Sequence, residues 1–202
     1  MKKQIGIGGI YARFVKRALD VLFSIILLLL LAFPMLIIAV FIRADSEGKA
    51  IFKQRRRGRE GKVFVCYKFR TMYCNAPPYT PASDFDGYER YVTRTGRFLR
   101  RTSLDELPQL FNVLRGEMSL VGPRPLICEE KDMHRLRMSA GVYRLRPGIT
   151  GMAQVRGRNL LDDAEKIKND SYYLSNLRMG LDLKILFITL LKVIKKEGIK
   201  TE

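Results

Sequence analysis

The chain has 202 residues, enough for one domain with a hydrophobic core and an appendage. Its 37 lysines and arginines exceed its 20 acidic residues by 17, which indicates polyanionic partners: an anionic membrane surface, phosphorylated substrates or nucleic acid. Three cysteines without a CxxC pair and a single histidine argue against a disulfide framework and a zinc site, and fit a reducing compartment.

An uncharged apolar segment, Val21 to Ile42, is long enough to cross a bilayer. Pro34 interrupts it, because proline removes a helical hydrogen bond and clashes with the preceding turn. A break there leaves arms of about 20 Å and about 12 Å at a rise of about 1.5 Å per residue. Neither arm alone crosses about 30 Å of hydrocarbon.

Basic residues lie on both sides of this segment, including Lys16 and Arg17 before it and Arg43 and Arg55 after it. The positive-inside bias therefore favours the cytoplasmic side for both flanks. A helix that enters one leaflet, breaks at Pro34 and returns satisfies both observations. A kinked helix that spans the bilayer is the alternative, because membrane helices tolerate proline.

Two short strands are predicted after the apolar segment, one containing Ile51-Phe52 and one from Val63 to Phe69, around a basic turn that contains glycine. Asn75 to Tyr91 is rich in proline, aspartate and tyrosine and predicts a long loop of the kind that often covers a binding site. Together these segments begin a mixed α/β or α-rich domain.

A helix from about Leu104 to Leu114 is predicted next, with Ser103 as its N-cap and Gly116 closing it. Asp105 and Glu106 would lie in its first turn, where a helix N-terminus favours ionised carboxylates. Adjacent helical positions point in directions about 100° apart, so one carboxylate can face a reacting phosphorus while the other binds a metal. A purely local stabilising role for both carboxylates is the alternative.

The C-terminal third predicts a loop with a short strand over Arg146 to Asn159 and a surface helix over Asp162 to Leu177. The apolar segment Leu181 to Gly198 carries four lysines, so it fits a helix at the membrane interface. A buried core helix fits that segment equally well.

Rigidly placed arginines surround the acid pair in the sequence, each next to a glycine, a proline or the end of an element: Arg70, Arg100, Arg124, Arg146 and Arg158. Guanidinium groups bind phosphate oxygens bidentately and stay charged. A diphosphate substrate would also favour Mg²⁺ held by one or two carboxylates. The pattern therefore indicates phosphoryl transfer, although each arginine taken alone could be a surface charge.

Several common nucleotide and nucleic-acid motifs are absent from the sequence: a Walker-type GxxxxGK[ST] loop, a GxGxxG after a strand, and helix-turn-helix, zinc-finger or RNP-like patterns. Their absence disfavours P-loop and Rossmann enzymes, and no nucleic-acid partner is expected.

Four stretches occur in the sequence in this order: FKQRRRGREGKVFVCYKFRTM, SLDELPQLFNVLRGEMSLVGPRP, RPGITGMAQVRGRN and DSYY. By these stretches the chain resembles the bacterial monotopic phosphoglycosyl transferases, in particular their minimal single-domain members, which initiate surface-glycan and glycoprotein assembly. The likeness runs from about Phe14 to the C-terminal helix.

The resemblance implies transfer of a sugar-1-phosphate from a UDP-sugar to undecaprenyl phosphate at the bacterial inner membrane. By motif position, Asp105 corresponds to a nucleophile that attacks the β-phosphate, releases UMP and forms a covalent phosphosugar intermediate. Glu106 corresponds to the Mg²⁺ ligand. The other active-site positions implied by the resemblance are Arg70, Arg100, Arg124, Arg146, Arg158 and Asp170.

The expected fold is therefore a helix-rich α/β protein of two parts. Residues 1–43 would form a basic segment and a re-entrant membrane helix hairpin broken at Pro34. Residues 44–202 would form a compact catalytic domain on the cytoplasmic face, with interfacial amphipathic helices. The identity of the sugar, the glycan pathway and homo-oligomer formation stay open.

Two alternatives without catalysis are a membrane-tethered binder of nucleic acid or anionic lipid, and a structural membrane protein. The first predicts that Asp105→Asn leaves function intact while salt abolishes it. The second predicts no requirement for a divalent metal.

Overall fold

In a computed structural model, which describes residues 9–77, 88–157 and 160–195, the chain is a helix-rich α/β protein with one long apolar helix and small sheets. The helices are α1 (Lys16–Asp45), α2 (Arg94–Thr102), α3 (Gln109–Leu114), α4 (Lys131–Ser139), α5 (Met152–Arg156), α6 (Asp163–Ser175) and α7 (Met179–Lys195). The strands are β1 (Ile51–Arg57), β2 (Val63–Phe69), β3 (Ser119–Val121), β4 (Leu126–Ile127) and β5 (Gly148–Thr150).

Helix α1 continues a short π-helical turn, so the helical segment runs from Tyr11 to Asp45. Among the described residues this is the one helix long and apolar enough to cross a membrane. Pro34 lies inside α1, and residues on either side of it belong to the same helix. The structure does not divide α1 into the two arms of a hairpin, so the re-entrant topology stays a prediction.

The two ends of α1 both pack on the same folded unit. Near its start, Arg17 donates to the Val113 and Leu114 carbonyls at 2.6 and 3.0 Å, where a cation stabilises the C-terminal end of α3. Asp20 accepts a hydrogen bond from the Leu120 amide at 3.0 Å. Near its end, buried Ile42 packs in a second apolar cluster with other elements of the domain. The exposed apolar surface of α1 lies between these two attachments.

Strands β1 and β2 form an antiparallel hairpin in which Ile51 pairs with Phe69 and Arg57 with Val63. The prediction of strand β2 is confirmed, and β1 extends further than Ile51-Phe52, through Arg57. Strand β4 pairs with the far end of β1, so the order of this sheet is β2-β1-β4. The basic turn is therefore shorter than predicted.

The other edge of β2 is covered by α3. Asn112, fully buried in α3, accepts from the Tyr67 amide at 3.0 Å and donates to the Val65 carbonyl at 2.7 Å. These two bonds satisfy main-chain groups that a sheet edge would otherwise leave open. Because α3 directly follows the acid pair, Asn112 also fixes where that pair lies relative to β2.

The prediction of a single helix from Leu104 to Leu114 with Ser103 as N-cap is wrong. Ser103 instead ends α2 in a left-handed conformation (φ 58°), and Leu104–Glu106 form a separate 3₁₀ turn. Pro108 then precedes α3, which ends at Leu114 as predicted. A left-handed residue reverses the chain sharply, which brings the 3₁₀ turn against β2 instead of continuing α2.

The remaining elements complete the main core. Strands β3 and β5 pair in parallel, and the predicted helix over Asp162 to Leu177 is confirmed as α6, with Asp162 as an N-cap in a capping box. Buried residues from β2, α3, β3, α6 and α7 form one cluster, which includes Tyr173 and Ile185. Helix α7 buries one side in this core and exposes the other, and α5 is a short helix that the sequence did not predict.

Replacing Asn112 with alanine should lower the free energy of unfolding by about 2–4 kcal/mol, because the variant leaves buried main-chain groups of β2 without partners. Urea denaturation in detergent, followed by circular dichroism, would measure the loss. The control is Asn176→Ala at the end of α6, whose amide donates to one exposed helix carbonyl and should cost about 0.5 kcal/mol or less. Equal losses in the two variants would contradict the role given to Asn112.

Candidate active site

The acid pair lies among basic side chains from β2, α2 and the loop before β4. The side chains of Asp105 and Glu106 are only 14% and 12% exposed. Lys68 on β2 lies 2.8 Å from Glu106 Oε1 and 3.8 Å from Asp105 Oδ2. A single lysine therefore contacts both carboxylates.

Arg124 approaches the same glutamate from the Gly122–Pro125 loop, with its Nη1 3.3 Å from Glu106 Oε1. Its side chain is 43% exposed, whereas that of Lys68 is 15% exposed. A partly exposed guanidinium beside a largely buried carboxylate remains accessible to an incoming phosphate.

Arg100 on α2 completes the cationic group around Asp105. Its Nε donates to Thr71 Oγ1 at 2.9 Å, which holds the guanidinium over the start of the segment after β2. The close packing of α2 against that segment requires Gly96, because a Cβ there would lie 2.0 Å from the Thr71 carbonyl oxygen.

The electrostatics of the pair follow from burial and proximity. Burial raises the pKa of Asp105, and the neighbouring Glu106 charge raises it further, while Lys68, Arg100 and Arg124 act to lower it. The Glu106 carboxylate raises the pKa of Arg124. The pKa of Asp105 is raised overall, because burial outweighs the nearby cations, which offset only part of its effect.

The expected cluster is only partly assembled. Arg70 is buried and caps the end of α1, donating to the Ser46 and Ile42 carbonyls at 2.8 and 3.3 Å and to the Glu47 carbonyl. The structure thus shows Arg70 as a link between α1 and β2.

Arg146 and Asp170 also have partners outside the acid pair. Arg146 donates to the Gly116 carbonyl at 2.9 Å, next to the end of α3. Asp170 is 1% exposed and forms an ion pair with Arg137 at 2.7 Å. Arg158 lies outside the described residues, as do residues 78–87 of the predicted loop.

Sequence reasoning missed Lys68 as a member of this site. The signal was present in β2, where Phe64 and Cys66 are buried and Lys68 follows two positions later on the same face. A lysine on the core-facing side of a strand is unusual without a charged partner. Gln54 and Arg56 on β1 share this face and hydrogen-bond to each other at 2.8 Å.

The residues present fit a magnesium ion. In the described part of the chain no three potential ligands of the His, Cys, Asp or Glu type cluster together. Mg²⁺ commonly uses one or two carboxylates and completes its coordination with substrate phosphates and water. Glu106 and Asp105 supply that donor type at the mouth of a basic cleft, where a diphosphate would supply the rest.

Comparison with known proteins identifies the family. A family model described as "Bacterial sugar transferase" matches residues 11–196. The chain belongs to the bacterial sugar transferase family.

Named relatives support the same assignment. The chain is 41% identical over 202 residues to the undecaprenyl-phosphate galactose phosphotransferase of Salmonella typhimurium, covering 93% of the chain and 42% of that protein. It is 44% identical over 181 residues to the UDP-glucose:undecaprenyl-phosphate glucose-1-phosphate transferase of Caulobacter vibrioides, covering 86% and 67%. It is 41% identical over 189 residues to the uncharacterized sugar transferase EpsL of Bacillus subtilis, covering 92% and 90%.

The shared region is a bacterial sugar transferase unit that recurs in proteins of different size. The chain spans about 42% of the length of relatives such as the Salmonella protein, but 90% of the Bacillus protein. The acid pair, Lys68 and Arg124 all lie inside the region matched by the family model.

Proposed function

We propose that this chain transfers a sugar-1-phosphate from a UDP-sugar to undecaprenyl phosphate, with Asp105 as the nucleophile. The observation that carries the proposal is the half-enclosed acid pair surrounded by Lys68, Arg100 and Arg124. Relatives named as phosphotransferases for galactose, glucose and N-acetylgalactosamine support it. Since those names cover three sugars, the proposal leaves the sugar open.

In the first step, a carboxylate oxygen of Asp105 attacks the β-phosphorus of the UDP-sugar. A phosphorus–oxygen bond forms to Asp105, the bond to the bridging oxygen breaks, and its electron pair leaves on UMP. Lys68 and Arg100 favour the ionised form of Asp105 against the effect of burial, while the partly exposed Arg124 binds the phosphate oxygens. The product is an aspartyl phosphosugar.

In the second step, a phosphate oxygen of undecaprenyl phosphate attacks the same phosphorus. The new diphosphate bond forms as the bond to Asp105 breaks, and the carboxylate is regenerated. Arg124 and Arg100 bind the phosphate of the acceptor in this step, so the same cations act in both half-reactions. Because the acceptor is a lipid, the cleft must lie at a membrane surface.

Magnesium would be held by Glu106, and when bound it would neutralise charge on the substrate diphosphate. Lys68 contacts Glu106 and limits the electrostatic repulsion between the Asp105 and Glu106 carboxylates. Asp105 then remains available for attack on phosphorus.

The proposal includes a re-entrant α1 on the cytoplasmic face of the inner membrane. Attachment of both ends of α1 to one folded unit supports this topology, because a spanning helix would separate its ends by the bilayer. The most exposed apolar residues of α1 lie in its middle and include Leu29, Phe33 and Leu36. Pro34 lies in this central part, where a bend would let both ends stay on one side.

Two further surfaces suit the membrane interface. On α2, Arg94, Arg97, Phe98 and Arg101 are all exposed at i, i+3, i+4 and i+7 spacing, which forms one basic and aromatic face. On α7, exposed apolar residues form a stripe: Leu183, Phe187, Leu190 and Ile194. We propose that both faces lie among lipid headgroups, with the lysines of α7 near anionic phosphates.

The covalent mechanism predicts that the purified protein gains one sugar-phosphate when incubated with magnesium and its UDP-sugar without acceptor. Intact-protein mass spectrometry would detect the adduct across a panel of UDP-galactose, UDP-glucose and UDP-N-acetylgalactosamine. Asp105→Asn should abolish it, because an amide is a very poor nucleophile. A wild-type protein that releases UMP only with acceptor and never forms the adduct would contradict the two-step mechanism.

Failure of the proposed function has a different signature. If a panel broadened to other UDP-N-acetylhexosamines and UDP-diacetamido sugars also gives no UMP release with undecaprenyl phosphate present, the transferase proposal fails and the non-catalytic binder is favoured. Asp105→Asn also tests the alternatives directly, since neither of them requires an ionised carboxylate at that position.

Lys68→Met should lower kcat/KM for UMP release by about 10²–10³-fold, as expected when one preorganised charge is removed from a phosphoryl-transfer site. The control is Lys53→Met, since Lys53 lies on the other face of the same hairpin, where it contacts the Tyr67 ring. Lys53→Met should keep activity within about threefold. Similar losses in both variants would mean that a general loss of positive charge, and not Lys68 itself, limits the reaction.

The re-entrant topology predicts that both flanks of α1 react with a membrane-impermeant thiol reagent from the same side. Ile10→Cys and Lys49→Cys would be made separately in a background without native cysteines. Both introduced cysteines should be labelled in inside-out vesicles and protected in right-side-out vesicles. Opposite labelling of the two positions would show that α1 spans the membrane.

A further inference from the structure

The Gly122–Pro125 loop, which carries Arg124, is held by the main chain of β5. The Gly122 amide donates to the Thr150 carbonyl at 2.8 Å, and the Gly148 amide donates to the Pro123 carbonyl at 2.9 Å. Backbones meet so closely here that a Cβ on Gly148 would lie 2.1 Å from the Gly122 nitrogen. The first half of the loop is therefore fixed.

Two guanidinium groups hold the second half of the same loop. Arg137 Nη1 on α4 donates to the Arg124 carbonyl at 2.6 Å, and Arg56 Nη1 on β1 donates to the Pro125 carbonyl. Gln54 in turn accepts from Arg56 at 2.8 and 3.1 Å. Three successive carbonyls, from Pro123 to Pro125, thus each accept a hydrogen bond from a different element.

Asp170 on α6 is the partner that fixes Arg137. The two side chains are 1% and 5% exposed and lie 2.7 Å apart, so the ion pair is sealed from solvent. A substrate phosphate cannot reach Asp170 at that depth without displacing α4 or α6. Burying such a pair is expensive and contributes little net stability compared with apolar packing, so its position directly behind Arg124 points to a role in the site.

We propose that Asp170 and Arg137 are positioning residues, which fix the Arg124 carbonyl and so orient the Arg124 guanidinium toward Glu106 and the substrate phosphate. The chain of contacts is continuous: Asp170 pairs with Arg137, Arg137 binds the Arg124 main chain, and the Arg124 side chain contacts Glu106. Asp170 therefore acts on the reaction through two other residues and contacts no reacting atom. This inference rests on the proposed function.

A double-mutant cycle between the ion pair and Arg124 tests the proposal. The ion-pair variant combines Arg137→Met with Asp170→Asn, which removes the pair without leaving a buried unpaired charge. It should lower kcat/KM for UMP release by about 10²-fold in the wild-type background. In an Arg124→Ala background the same two changes should lower kcat/KM by less than a further factor of about three, since the side chain that they orient has already been removed.

The matched control is a second largely buried ion pair between distant elements, away from the acid pair: Lys16 and Asp182, which are 2.6 Å apart with side chains 13% and 7% exposed. Lys16→Met with Asp182→Asn should change activity by the same factor in both backgrounds. If the Arg137–Asp170 variant also lowers activity by the same factor in the wild-type and Arg124→Ala backgrounds, the pair is merely structural and the proposal is overturned.

A second measurement is independent of turnover. Hydrogen–deuterium exchange of peptides covering residues 118–128 should be faster in the Arg137–Asp170 variant and unchanged in the Lys16–Asp182 variant. Unchanged exchange in both overturns the inference whatever the activity. Absence of UMP release from the wild type with every donor would instead reject the proposed function, and exchange alone would then decide whether the pair fixes the loop.

Arg137→Lys provides a second variant if the double substitution prevents folding. A lysine keeps the charge opposite Asp170 but lacks the planar fork that binds the carboxylate and the carbonyl together. It should show the same non-additivity with Arg124→Ala and a smaller loss of activity. Full additivity of Arg137→Lys with Arg124→Ala would overturn the proposal as well.

Discussion

Two adjacent, largely buried carboxylates repel each other and lose solvation, and each effect favours protonation of one of them. Lys68, Arg100 and Arg124, on three separate elements, oppose these effects at Asp105, whose pKa nevertheless stays above its ordinary value. Removing any one of these cations would leave the acid pair less compensated. The position of the acid pair therefore links β2, α2 and the Gly122–Pro125 loop electrostatically.

Two arginines connect α1 to the elements that flank the acid pair. Arg17 near the start of α1 caps α3, the helix that follows the acid pair, and Arg70 after β2 caps the end of α1. Both contacts use a guanidinium to satisfy carbonyls that a helix end leaves open. A change in the position of α1 would thus be transmitted to β2 and α3, the two elements that flank Asp105.

Local signals predicted much of this fold, and tertiary contacts decided the rest. Strand β2, the end of α3 and helix α6 were predicted from local strand, glycine and helix signals. Ser103 misled because serine is a common N-cap, whereas here it adopts the left-handed conformation that ends α2. The roles given to Asp105 and Glu106 came from adjacency and family resemblance and stay predictions. Lys68 was missed because its place on the core-facing side of β2 was not taken into account.

Motif position also failed to predict which of the arginines contact the acid pair. Position in a motif suggested that Arg70, Arg146 and Asp170 would join Arg100 and Arg124 around the acid pair. Only the structure distinguishes a guanidinium that faces the cleft from one that binds main-chain carbonyls, since glycine and proline neighbours accompany both. Arg70 and Arg146 bind main-chain carbonyls and Asp170 pairs with Arg137, so motif position alone does not tell which residue contacts the acid pair.

A surplus of cations over carboxylates would favour the two-step transfer between phosphates that we propose. Lys68, Arg100 and Arg124 place three positive charges around the two carboxylates Asp105 and Glu106. A diphosphate donor or a lipid phosphate would balance this excess on binding, so each proposed half-reaction would begin with a substrate that the site attracts electrostatically. In that mechanism Asp105 could be reused, because cations that favour its ionised form would also favour its departure when the acceptor attacks. One set of fixed charges would then serve a water-soluble donor and a lipid acceptor.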